Sequence, residues 1–125
     1  MKKSTEKLLA DLHALQTTRQ RLLRVVIKER ELAVGTVSEV SRKCGNPRCH
    51  CAKEGGHLQV SFLFKDKENG RRRCKLIRRD DEQRMLRAGE NYRECRQAMQ
   101  QLRAIDLEEK QILMALIEGR AIEYE

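Results

Sequence analysis

Residues 42–57 read R-K-C-G-N-P-R-C-H-C-A-K-E-G-G-H, and no other stretch narrows so far what this chain can fold into. Three thiols, Cys44, Cys49 and Cys51, and the imidazole of His57 fall in a segment too rich in Gly, Pro and charge for a helix or strand. Thiolate sulfur and neutral imidazole nitrogen suit tetrahedral zinc, and four such donors close its shell. Gly45, Asn46 and Pro47 are turn formers that let the chain double back towards Cys49. The expected metal ligands are therefore Cys44, Cys49, Cys51 and His57, around a structural zinc with no open position for a substrate. His50 and Cys74 are the rivals for the fourth place. His50 adjoins two of the thiols and would need a strained backbone, whereas Cys74 would have to return through a hairpin. The plainer alternatives are disulfides or an unliganded redox loop, the latter forming a reversible disulfide on oxidation. Thiols that merely pack sit in apolar surroundings, which this loop does not offer.

The formal net charge of +8 is concentrated in the middle of the chain. Residues 42–79 hold twelve Lys and Arg against three acids, residues 1–41 hold eight against five, and residues 80–125 hold seven against eleven. A basic field confined to one module suits a polyanion, because each phosphate contact releases condensed counterions. The competing reading is a solvated surface that serves solubility. Of the 125 residues 37% are charged and 3% aromatic, a composition of long amphipathic helices more than of a thick globular core. Part of the apolar surface is then left for a partner. Met1-Lys2-Lys3 runs into Glu6, Asp11 and His13 and not into an apolar segment. No secretory signal or membrane span is expected, and a reducing cytoplasm suits the clustered thiols.

Residues 4–34 read as a helix, capped by Ser4 and stopped by Gly35. Leu8, Leu12, Leu15, Leu22 and Val26 form its apolar stripe, which Arg19 interrupts. Residues 35–57 read as a connector and the knuckle. From His57 to Phe64 the pattern alternates as in a strand, Asn69-Gly70 marks a hairpin turn, and residues 71–79 return. Arg71, Arg73 and Lys75 are expected on an outward face, opposite Cys74 and Leu76. Residues 80–119 read as a second long helix with Asp80 and Gln83 as a capping box and a weak point at Gly89. The expected fold is a single α+β domain. Two long antiparallel helices form a coiled-coil-like hairpin, with the zinc knuckle and a two-stranded β-hairpin inserted between them.

No Gly-rich phosphate loop, H-E-x-x-H, G-x-S-x-G or two-metal acidic cluster occurs, so no enzyme activity is expected. The motif R-K-C-G-N-P-R-C-H-C-A…G-G-H…N-G-R-R-R, with a following N-Y-R-E, resembles a small uncharacterised prokaryotic family often encoded beside transposases and other mobile-element genes. The matching positions are Arg42, Lys43, Cys44, Gly45, Pro47, Cys49, Cys51, Ala52 and His57, then Gly70, Asn91, Tyr92 and Arg93. Leu58 to Ser61 depart from the Gly-Pro-aromatic run usual after the histidine. The resemblance implies an accessory protein of mobile DNA. Together these readings predict a cytoplasmic zinc-binding protein contacting nucleic acid, DNA before RNA, through Arg42, Lys43, Arg48, Lys53, Arg71, Arg72, Arg73 and Lys75. The alternative is an adaptor whose helices engage a transposase, a recombinase or a second copy, with purely structural zinc.

Overall fold

The computed structural model describes residues 4–42, 46–48 and 56–124 and, for Arg42 and His57, the backbone alone. Helix α1 spans Thr5–Ile27, and strands β1, β2 and β3 span Thr36–Arg42, His57–Lys65 and Arg72–Leu76. A 3-10 turn at Arg79–Asp81 leads into helix α2, Glu82–Glu118. The residues divide into two units, Met1–Lys28 with Glu94–Glu125, and Glu29–Arg93.

The expected two-stranded ribbon between long helices is not what the chain forms. The supposed connector is a strand, and the sheet has three antiparallel strands in the order β1-β2-β3. Pairing of β1 with β2 runs from Thr36↔Leu63 to Arg42↔His57, and that of β2 with β3 from Ser61↔Leu76 to Lys65↔Arg72. T-V-S-E-V-S-R carries too few apolar residues to announce a strand. It becomes one because β2 supplies the missing ladder partners.

In the helical unit the Ser4 hydroxyl caps α1 by accepting the Lys7 N–H at 3.2 Å. Leu22, Ala98, Leu102 and Ile105 form the buried seam, with Leu15, Val25 and Val26 packed against it. The two helices run antiparallel there. Val25 lies beside Cys95, whose thiol donates to the Val25 carbonyl at 3.8 Å, while Arg19 reaches Asp106 at 2.7 Å and also Glu109. Arg19 thus does not break the seam but bridges it, holding its guanidinium on two carboxylates.

Helix α1 stops at Ile27, well before Gly35. Lys28 adopts ψ 125°, and residues beyond it spend their polar groups on α2 instead of on a further helical turn. The Ala33 N–H donates to the Ala88 carbonyl at 3.0 Å, and Asn91 donates to the Glu31 carbonyl at 3.1 Å. Arg30 donates to Asn91 Oδ1 at 3.2 Å, and Arg84 forks onto both Glu31 oxygens. The extended segment is therefore pinned to the helix that follows the sheet.

Helix α2 passes Gly89 without a break, contrary to the expected weak point. A Cβ there would lie 2.8 Å from the Val37 Cβ, so glycine serves the close approach of α2 to β1. Nor does the helix begin at Asp80: Asp80 and Asp81 form the 3-10 turn, and Arg78 before it makes no side-chain cap bond. Among the described residues of the sheet unit, Ala33, Val60 and Ala88 are the buried apolar ones.

Gly89→Ala should destabilise the protein by about 1–3 kcal/mol in urea unfolding, against the helix-propensity trend, because the methyl group overpacks Val37. Adding Val37→Ala should cost less than the two single effects combined. Strict additivity would show that the close approach is not what glycine is for. The Arg84 fork, chiefly its hydrogen bonds, holds the Glu31 carboxyl below its ordinary value. The stability this gives is present above the unfolded-state pKa and is lost as pH falls through the lower folded-state value. Arg84→Ala should move the Glu31 titration, followed by NMR, upwards.

Candidate functional site

The register of the sheet decides which of the candidate residues come together. Side chains directly opposite in an antiparallel pair share a face. Val37, Val60, Phe62 and Phe64 therefore share one with Arg73 and Lys75, and Val37 is the residue that meets α2. Phe62 and Phe64 stack with ring centroids 4.8 Å apart, and the Lys75 ammonium stands 5.8 Å from the Phe64 ring. Arg73 is paired with Asp66 at 3.1 Å. The expected outward row of Arg71, Arg73 and Lys75 is thus replaced: Arg73 and Lys75 project from the helix-facing side of the edge strand, each already engaged. Cys74 and Leu76 lie on the other face with Arg72, and Cys74 is exposed, not buried as its alternation suggested.

What the register does bring together is the tip of the β2–β3 hairpin. Lys65 stands directly across from Arg72, and Lys67 and Arg71 lie in the adjoining turn, all four exposed. Its backbone is fixed by Asp66. The Asp66 N–H donates to the Arg71 carbonyl at 2.8 Å, and the Asp66 carboxylate accepts the Glu68 N–H at 2.8 Å. The Arg71 N–H donates to Asn69 Oδ1 at 2.9 Å, and Gly70 takes the positive φ of 69° that the turn requires. Like charges facing one another across a ladder repel, and an anion at the tip relieves that repulsion. Lys65 escapes a reading of the sequence because only the register shows that it faces Arg72. Arg78 and Arg79, exposed beside the first turn of α2, extend the basic strip beyond β3.

At the other end of the sheet the pair Arg42↔His57 holds both ends of residues 43–56 side by side. Lys43, Cys44, Cys49, His50, Cys51 and Lys53 lie outside the described residues, so the expected ligand set is located only by its anchors. Among the described residues no group of three or more His, Cys, Asp or Glu is placed to hold a metal ion. Asn46 accepts the Arg48 N–H at 3.0 Å through its side chain, an Asx turn, and leaves Arg48 exposed. No described helix is long and apolar enough to cross a membrane.

A family model, Domain of unknown function (DUF6788), matches residues 6–87. The chain belongs to this family. Comparison with curated proteins and with solved structures finds no match. The DUF6788 match takes in α1, all three strands and the start of α2, and ends before Gly89 and Asn91. The basic hairpin tip and the anchors of the cysteine loop therefore both lie within the DUF6788 region.

Lys65→Glu should stabilise the hairpin by about 0.2–1 kcal/mol, since it turns the repulsive pair with Arg72 into an attractive one. Thermal unfolding at low and at high salt checks this. A gain that disappears in high salt is expected, and a loss of stability at low salt would show that the two cations do not oppose one another.

Proposed function

We propose that this DUF6788 protein is a small, non-catalytic, cytoplasmic nucleic-acid-binding accessory factor, held together locally by a structural zinc. The observation that carries the reading is the hairpin tip, where Lys65 and Arg72 face each other across the ladder and Lys67 and Arg71 stand exposed in the adjoining turn. Such an arrangement gains most from phosphate, which guanidinium groups can grip in bidentate fashion. The contacts would fall on the backbone with little base readout, because only 3% of residues are aromatic and the paired phenylalanines share the face of the sheet that meets α2.

Zinc enters through the donors of the cysteine loop. Cys44, Cys49 and Cys51 with His57 would hold it, and the Arg42↔His57 pair supports this by keeping the two ends of the loop together before any metal binds. Arg42, Lys43, Arg48 and Lys53 would then add cations at that end of the sheet. The resemblance of the loop motif to proteins encoded beside transposases supports a role on mobile DNA.

Binding of the full chain to a labelled DNA duplex and to a single-stranded RNA, titrated over salt, tests the reading. Wild type should bind DNA, with affinity falling linearly in log–log form, and the Arg71→Ala, Arg72→Ala double variant should lower the slope by about 0.9 for each phosphate it no longer neutralises. Arg73→Ala alone should change it less, since Asp66 already occupies that guanidinium. An unchanged slope in the double variant would refute the hairpin as the binding surface, and tighter binding to RNA would reverse the choice of nucleic acid.

A further inference from the structure

One buried polar atom of the sheet has nothing to bond to. The side-chain oxygen Oε1 of half-buried Gln59 is closed off from solvent and has no hydrogen-bond partner among the described residues. A buried acceptor is costly to leave unmade, so a fold that keeps one calls for a donor.

The register narrows where that donor comes from. Positions 57, 59 and 61 alternate onto one face of β2, the face opposite to that of Val37 and Phe62, where α2 approaches. Helix α2 is thus on the wrong side to supply it. Val40, directly across on β1, has no polar side-chain group, and β3 ends opposite Ser61 before it reaches Gln59. The Ser61 hydroxyl is set against that of Ser38, 3.4 Å away. What remains on this face is the end of the sheet where Arg42 pairs with His57, at the mouth of the cysteine loop.

An expected metal ligand therefore stands two positions from an unused buried acceptor, about 6.5 Å along the strand. The two needs match. An imidazole that gives one ring nitrogen to zinc keeps an N–H on the other, and metal-bound histidines regularly place that N–H on an oxygen that fixes the ring and its tautomer. With the structural zinc proposed above as premise, we infer that Gln59 is the positioning residue of the metal loop. Its Oε1 accepts the free ring N–H of His57, so that His57, and not His50, completes the shell.

Urea unfolding of the full chain, with zinc and with a chelator, tests this on wild type, Gln59→Leu and Gln59→Glu. Without metal, Gln59→Leu should unfold at the same or a higher urea concentration than wild type, because leucine removes an unsatisfied acceptor at similar volume. With zinc the order should reverse, and competition with a chromophoric chelator should show zinc held about 10–100-fold more weakly by the leucine variant. Gln59→Glu, which keeps an acceptor, should hold zinc more tightly than Gln59→Leu does. In zinc-loaded wild type the ring N–H of His57 should be visible by NMR and slow to exchange, a protection that Gln59→Leu should remove. A leucine variant destabilised equally with and without zinc would overturn the inference, since the acceptor would then serve the sheet alone. Equal zinc affinity in wild type and both variants would also overturn it while leaving the structural zinc standing. A wild type whose stability ignores zinc would remove the zinc itself, and the role of Gln59 with it.

Discussion

The ladder between β1 and β2 is the constraint on which the rest of the sheet unit depends. Without it, residues 36–42 would be a connector, β2 would be an edge strand, and the residues after Arg42 would have no fixed relation to His57. Its last pair, Arg42↔His57, turns the cysteine-bearing segment from a free excursion into a closed loop. Its upper part places Val37 where only a glycine at position 89 allows α2 to approach. One set of backbone hydrogen bonds thereby ties the candidate metal loop at one end of the sheet to the helix packed on its face.

Charge is distributed around this frame in two different ways. Where cations meet the covered face or a seam, they are engaged: Arg73 on Asp66, Lys75 over Phe64, Arg19 on Asp106 and Glu109. At the hairpin tip, Lys65 and Arg72 face each other. Exposed ion pairs contribute little to stability, so the contrast says less about how the fold is held than about where an anion would be welcome. The backbone of the tip is held by the hydrogen bonds around Asp66 and Asn69.

Much of this is legible in the residues, and the failures have physical causes. The Leu and Ile spacing announces both helices, and the alternation from His57 to Phe64 announces β2, because burial on one face imposes a period. Strand β1 is hidden, since its seven residues take their strand character from pairing and not from their own pattern. The early end of α1 is hidden for a related reason. Leu32 and Val34 continue an apolar run, yet Arg30, Glu31 and Ala33 find better partners on α2 than a further helical turn would give. The faces of β3 come out the wrong way round from sequence because the apolar residues of that strand suggest its covered side, whereas the register puts Arg73 and Lys75 beside the phenylalanines. The four ligand candidates are legible as chemistry, but the geometry of the loop lies in residues 43–56, where sequence remains the guide.

Metal content, measured by native mass spectrometry on chain purified without chelator, tests the central claim most directly, with Cys49→Ser as the comparison. The account predicts one zinc ion per chain in the wild type and its loss in the variant, with no other mass change beyond the substitution itself. A freshly reduced wild type without metal would contradict it, leaving the three thiols between β1 and β2 without the role proposed for them.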